Sequence, residues 1–271
     1  LYKYRSESWN LIATLDGTDS DRDRYLGIPL DIDNDGSVIA VVSHNSENSN
    51  VTEPGSIRVY EYTNGALVQK GSTIDGNKGS VDLFGARGVA ISGDGTAVAG
   101  TSWGGYAKVF KYVEDSTNDW VQMGSDFTVT YVSLNISLAS RPISLDDSGT
   151  VVAIASPDDD TTGTNNGKVE VYKFTGDVDT GSWNQLGSAI YGVDRGSIDT
   201  REGATLKLSA DGTILATGSY AYNSYYGYIR VYKYSEAAGD WCQMGADIQH
   251  DSAVNFARGF DMSSDGKTLA V

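Results

Sequence analysis

One passage of sequence occurs five times in this chain and limits the possible folds more than any other feature. In residues 227–245 it reads Gly-Tyr-Ile-Arg-Val-Tyr-Lys-Tyr, then a short acidic loop, then Trp-Cys-Gln-Met-Gly. Further copies begin at Gly55, Gly105 and Gly167, and a partial copy opens the chain with Leu1-Tyr-Lys-Tyr. The tryptophan positions of these copies, one of which holds leucine, lie 53 to 63 residues apart. A strand-like unit repeated at such a period is typical of a propeller or a solenoid.

Each repeat predicts four short antiparallel strands. In the second repeat, residues 87–92 alternate larger apolar residues with small ones, as a strand with one buried face does. Asp94-Gly95 follows, and Asp-Gly is a favoured two-residue hairpin turn. Three further strands are predicted at residues 96–101, 106–112 and 120–127. The predicted fold class is therefore all-β, a β-propeller of four-stranded antiparallel blades.

The whole chain, residues 1–271, is predicted to be a single β-propeller domain. Its blades cover approximately residues 27–74, 85–127, 140–190 and 203–248, with a fifth built from residues 257–271 together with residues 1–15. This composite blade gives five blades in all and is favoured because an open arc leaves two unpaired sheet edges. The alternative is that the chain is part of a seven-bladed ring.

Composition narrows the class of partner. The net charge of −16 disfavours nucleic-acid phosphates and anionic membranes, and no apolar run approaches the ~18 residues of a membrane span. The single Cys242 excludes an internal disulfide framework, and its place beside a repeat tryptophan predicts a buried packing cysteine. Asn50 and Asn135 begin glycosylation sequons in predicted loops. Together with the polar surface, these sequons favour an extracellular or cell-surface protein.

The repeat also resembles a known family. Phe84-Gly85, a strand, a Ser-x-Asp-Gly turn, an alanine-rich strand and Gly-x-x-x-Val-Tyr-x-Tyr together resemble the FG-GAP repeats of integrin α-like propellers. The chain is more similar still to secreted bacterial and algal repeat proteins with Trp-x-Gln-x-Gly at their blade junctions. The resemblance covers essentially the whole chain and implies a fold, not an activity. Phe-Gly is kept only at residues 84–85, and Gly-Ala-Pro survives only as Ala-Ser-Pro at residues 155–157.

The same resemblance implies a calcium site. The calcium loop of the family is partly present as Asp31-Ile-Asp33-Asn-Asp35-Gly, so these three aspartates are the candidate metal ligands. Alternating carboxylates around a glycine bend suit a hard cation that needs six or more oxygen ligands. Ile39 stands where the family has a further acid, which removes one ligand, and residues 261–266 form a poorer second candidate. The alternative is that these residues serve the hairpin turn alone.

Aromatic residues mark a candidate ligand surface. The connectivity of a propeller places the long loops between second and third strands, and those between blades, on one face. The candidate ligand-binding residues on this long-loop face are Tyr220, Tyr222, Tyr225, Tyr226, Trp103 and Tyr106. Flat aromatic rings with a polar tip suit sugar or protein surfaces. The alternative is that these rings pack between blades.

These observations predict an extracellular binding or adhesion module that presents its loops to a glycan or a protein partner. Calcium is the candidate cofactor, and neither nucleic-acid binding nor membrane insertion is expected. The first alternative is a structural module of a larger extracellular assembly, such as a matrix or a surface filament. A glycosidase-type enzyme is the second alternative. Because no pair of acidic groups is recognisable at a catalytic separation, the chain is predicted not to be an enzyme and to have no catalytic residue.

Overall fold

The computed structural model describes residues 1–17, 26–43, 55–77, 82–130, 142–192, 200–220, 227–251 and 256–271. These residues form antiparallel β-strands joined by turns, so the predicted all-β class is confirmed. Within the described ranges no helix is long and apolar enough to cross a membrane.

Four sheets repeat one plan, in which successive strands lie side by side in chain order. Sheet 1 contains β3 (Leu30–Ile32), β4 (Val38–Ser43), β5 (Ser56–Thr63), β6 (Ala66–Gln69) and β7 (Ile74–Asp75). Sheet 2 contains β8 (Gly88–Ile91), β9 (Ala97–Thr101), β10 (Tyr106–Val113), β11 (Asp119–Gln122) and β12 (Phe127–Thr128). Sheet 3 contains β13 (Ile143–Leu145), β14 (Val151–Ser156), β15 (Lys168–Thr175), β16 (Ser182–Gln185) and β17 (Ile190–Tyr191). Sheet 4 contains β18 (Thr205–Leu208), β19 (Ile214–Ser219), β20 (Tyr228–Ser235) and β21 (Asp240–Gln243).

Two shorter strand pairs precede and follow these sheets. The first pair joins β1 (Tyr2–Arg5) to β2 (Ser8–Leu11), and the last pair joins β22 (Asp261–Met262) to β23 (Leu269–Ala270). Among the described strands each pair is a separate two-stranded sheet, and β23 does not pair with β1. The composite fifth blade is therefore not formed as one sheet here, and the closing of the ring stays a prediction.

The hairpin turn predicted at Asp94-Gly95 is confirmed, and an equivalent Asp-Gly or Ser-Gly turn occurs in each of the other repeats. In sheets 1 to 4 and in the last pair, the first strand pairs antiparallel with the second across the predicted turn. The turn glycines all have φ between +66° and +74°, a region that residues with a side chain rarely adopt: Gly36, Gly95, Gly149, Gly212 and Gly266. This backbone requirement explains why the turn is the most regular short motif in the sequence.

The fourth strand of each repeat differs from the prediction. In sheet 2 a single strand was expected over residues 120–127, but β11 ends at Gln122, and β12 begins at Phe127. Both pieces pair with β10, and the chain between them bends at Gly124, which has φ +64°. A side chain at Gly124 would lie 3.0 Å from the indole of Trp183 in sheet 3. The strand is therefore interrupted where the next sheet packs against it.

The sheets pack side by side through small and branched residues. The first strands β3, β8, β13, β18 and β22 contact one another in that order. The middle of each second strand holds a fully buried alanine that pairs with a valine of the third strand, and these alanines are Ala40, Ala99, Ala153 and Ala216. Continuous apolar clusters fill the spaces between sheets 1 and 2, 2 and 3, and 3 and 4. This stacking brings equivalent turns and strand ends of successive sheets close together.

Candidate functional site

The aspartates of the predicted calcium loop make hydrogen bonds within and between sheets. The carboxylate of Asp33 accepts the backbone N–H of Ser37 at 2.8 Å and that of Val38 at 3.0 Å. Asp35 also accepts the N–H of Ser37, and hydrogen bonds from Ser37 lower the pKa of Asp35. Asp31 accepts the N–H of Ile91 at 2.9 Å and so joins β3 to β8. In the described ranges no group of three or more metal-ligating side chains is placed to hold a metal ion.

Other turns use serine where the first turn uses Asp33. The hydroxyl of Ser92 accepts the N–H of Ala97 at 2.8 Å, and that of Ser209 accepts the N–H of Ile214 at 2.9 Å. In sheet 3 the position is again acidic, and Asp146 accepts the N–H of Val151 at 2.8 Å. The side chain at this position therefore accepts a hydrogen bond that closes the hairpin in each of the four sheets. This shared role supports the interpretation that Asp33 is present for the hairpin turn alone. Calcium at the first turn stays a prediction.

Trp103 and Tyr106 lie in the packed part of sheet 2. Tyr106 is buried, its ring stacks on Phe84 with centroids 5.8 Å apart, and its hydroxyl donates to the carboxylate of Asp82. Burial, with a smaller contribution from Asp82, raises the pKa of Tyr106. The guanidinium of Arg87 lies 4.0 Å from the ring centroid of Trp103. These contacts favour the packing interpretation for both rings over a role in direct ligand contact.

The remaining predicted residues fall partly outside the described ranges. Tyr220 follows β19 and is buried. Tyr222, Tyr225 and Tyr226, together with the sequon residues Asn50 and Asn135, lie outside the residues that the structure describes. Cys242 is exposed, so the prediction of a buried packing cysteine is wrong. Successive side chains of a strand point to opposite faces, and in β21 the inward position belongs to Trp241.

A groove of about 490 Å³ lies between sheets 2 and 3. Half-buried Tyr172 and Trp183 line it, together with Lys168, Glu170 and the exposed Asp126. The ammonium of Lys168 lies 3.2 Å from the carboxylate of Glu170, and this ion pair raises the pKa of Lys168 although burial opposes it. Burial and the nearby Glu170 raise the pKa of Tyr172 to about 12. The groove therefore combines aromatic side chains with charges of both signs.

A second groove of about 370 Å³ lies between sheets 1 and 2. Like the first groove, it is lined by an ion pair and an aromatic ring. The ammonium of Lys70 lies 4.0 Å from the carboxylate of Glu61 and 4.9 Å from the ring centroid of Tyr112. Sequence reasoning did not find either groove. Alternation along a strand shows which residues share a face, but it does not show which face of the next sheet lies opposite.

Three tryptophans join sheets 2, 3 and 4, each to the sheet before it. Each indole Nε1 donates at 2.7 Å to a backbone carbonyl of the preceding sheet: Trp120 to Lys70, Trp183 to Met123 and Trp241 to Leu186. The residue after each acceptor is a glycine, and a side chain there would lie 2.7 to 3.0 Å from the indole Cδ1: Gly71, Gly124 and Gly187. We name this arrangement the tryptophan–glycine contact. It explains the Trp-x-Gln-x-Gly pattern, because each repeat carries both an indole and a site that accepts one.

A buried charged network joins Glu202, which precedes sheet 4, to the side chains of β20. Glu202 is fully buried and accepts a hydrogen bond from the hydroxyl of Tyr228. Arg230 lies 3.9 Å from Glu202 and donates to both carboxylate oxygens of Asp247, at 3.0 and 3.2 Å. Burial raises the pKa of Glu202, and the charge of Arg230 opposes this shift only in part. No sequence motif marks this network.

Comparison with models of known protein families gave no match, and no similar protein was found among curated proteins. The resemblance to FG-GAP-type repeats therefore stays a prediction.

Proposed function

We propose that this chain is an extracellular binding module built as a β-propeller, in which sheets 1 to 4 are blades. The successive contacts of β3, β8, β13, β18 and β22 support this proposal, because the innermost strands of a propeller line its axis in chain order. The equal strand order of the four sheets is a second support. The first and last pairs supply the outer and inner halves of a further blade.

The observation that carries the binding function is the groove between sheets 2 and 3. Small-molecule and sugar sites are concave and combine aromatic faces with a few polar groups that fix orientation. Tyr172 and Trp183 offer ring faces to the C–H face of a sugar, while Glu170 and Asp126 offer oxygens to its hydroxyl groups. We therefore propose a glycan as the ligand of this groove, with a protein partner as the alternative.

A glycan array, followed by titration of the best ligand, tests this proposal. Glu170→Gln is expected to weaken binding about tenfold, which corresponds to ~1.4 kcal/mol, because a charged acceptor is lost. Glu236→Gln is the matched control, since Glu236 is exposed in a turn of sheet 4 away from the groove. Absence of glycan binding, or equal affinity of the two variants, would reject the groove as the site. Titrations with calcium and with a chelator also test the cofactor predicted at Asp31, Asp33 and Asp35.

The second candidate function is a structural module of an extracellular assembly. The observation that favours it is the apolar surface of the first pair, where Tyr2, Tyr4, Trp9 and Leu11 are all exposed. Contiguous exposed apolar side chains mark surfaces that bind another protein.

A further inference from the structure

The third strand of sheet 3 carries an acid where its counterparts carry a base. The third residue of this strand is Glu170, which lines the groove between sheets 2 and 3. In sheets 1, 2 and 4 the same position is basic, and it holds Arg58, Lys108 and Arg230. The four sheets share one strand order, so the change concerns the side chain and not the backbone. The plan of the repeat therefore does not account for Glu170.

The base of sheets 2 and 4 pairs with an acid whose place is apolar in sheet 3. Lys108 lies 3.8 Å from the carboxylate of Asp126, and Arg230 lies 3.0 Å from that of Asp247. Each aspartate stands two residues after the glycine of the Trp-x-Gln-x-Gly pattern, and Ala189 takes this place in sheet 3. Glu170 thus has no part in the pairing that its counterparts make.

Two carboxylates share one ammonium beside this groove. The Nζ of Lys168 lies 3.2 Å from the carboxylate of Glu170 and 3.6 Å from that of Asp159. The other acid of the groove, Asp126, is matched by Lys108. Because one positive charge cannot neutralise two negative charges, one negative charge remains here. The side chain of Glu170 is 20% exposed, so a ligand can reach it and water screens it only in part. This end of the groove therefore attracts a cation.

Aromatic rings lie beside this charge. The ring of Phe127 has its centroid 4.8 Å from that of Tyr172 and 5.6 Å from that of Trp183. An ammonium is attracted to the face of a tyrosine or tryptophan ring. In the second groove that position is taken by the chain itself, since Lys70 lies over the ring of Tyr112. Within the described part of the chain, no lysine or arginine lies over the ring of Tyr172 or Trp183.

We propose that the groove between sheets 2 and 3 selects glycans that carry a free, protonated amino group, such as oligomers of glucosamine. The carboxylate of Glu170 accepts hydrogen bonds from the ligand ammonium, and Tyr172 and Trp183 pack against the sugar ring. An N-acetylated amine is neutral and gains nothing from the remaining charge. This inference rests on the proposed glycan groove and adds a charge requirement to it.

The test is calorimetric titration of the full chain with two oligomers of equal length, one of glucosamine and one of N-acetylglucosamine. The titrations are made at about pH 6, where an amino group is protonated and the carboxylates are ionised. The wild type is expected to bind the free-amine oligomer about tenfold more tightly. Glu170→Gln should bind the two oligomers within about twofold of one another. Lys168→Met should increase the preference for the amine, because Glu170 loses its internal cation.

Glu236→Gln, an exposed acid of sheet 4, is the matched control and should keep the preference of the wild type. Melting temperatures establish that all variants are folded. A preference that arises only from the net charge of −16 would persist in Glu170→Gln, and that result would overturn the proposal. Equal wild-type affinity for the two oligomers, with binding weakened in Glu170→Gln, would overturn amine selection but leave the groove as a glycan site. Absence of binding to any glycan would overturn both.

Discussion

At the scale of single residues, Glu202 is the least expected group in the molecule. It occupies the place that Phe84 takes in the second repeat, since each precedes the glycine that leads into the first strand. A buried carboxylate is costly unless paired, and here Tyr228 and Arg230 surround it. Removing only one partner of such a network is destabilising, because the other group is left buried and uncompensated.

Glu202→Gln is expected to change the pH dependence of stability. The folded-state pKa of Glu202 is raised by burial, so the folded state binds the proton more tightly than the unfolded chain. The contribution of this group to stability is therefore greatest below its unfolded pKa of about 4.3 and falls as pH rises through the folded pKa. The difference in melting temperature, variant minus wild type, should increase between about pH 4 and pH 8.

Glu236→Gln, an exposed acid in the same sheet, is the control for this pH series. Its melting temperature should follow that of the wild type at every pH. A Glu202→Gln difference that stays constant with pH would show that the carboxyl of Glu202 titrates normally in the folded state.

At the scale of the strand and hairpin, the sequence predicted most of what the structure contains. The Asp-Gly turns were predictable because a tight hairpin needs positive φ at one residue, as at Gly95. The break between β11 and β12 could not be predicted from the sequence, because its cause is the indole of Trp183 in another sheet. The same limit applies to Tyr106, since alternation cannot distinguish a ring facing a neighbouring sheet from a ring facing solvent.

The first turn provides a prediction at this scale. Asp33→Ser should change the free energy of unfolding by less than about 0.5 kcal/mol, because Ser92 and Ser209 perform the same hydrogen bonding in their turns. Asp33→Ala should lower it by about 1–2 kcal/mol, because the N–H of Val38 loses its buried acceptor. Urea unfolding in chelator measures both differences. Equal losses for the two variants would contradict the turn role of this position.

The Asp33→Ser variant also tests whether calcium binds at the first turn. If calcium binds at the first turn, added calcium should raise the melting temperature of the wild type, and Asp33→Ser should lose that increase because it lacks one carboxylate ligand. An identical melting temperature with calcium and with chelator would remove calcium from the proposal.

At the scale of the whole molecule, the net charge of −16 makes copies of the chain repel one another at low ionic strength. Salt shortens the range of this repulsion to about 10 Å at 0.1 M.

The tryptophan–glycine contact has a consequence for how such a chain can change in length. Because the junctions between sheets 1 and 2, 2 and 3, and 3 and 4 use the same indole, carbonyl and glycine, sheets 2 and 3 carry a complete set of connections to both of their neighbours. A repeat copied within the gene would fit beside its template without any compensating substitution. The unit pairing Leu67 with Ala13 is different, since an indole placed there would meet a methyl group instead of a glycine. A duplicated repeat could therefore be inserted at three of these junctions without further change. At the fourth junction both Leu67 and Ala13 would have to change.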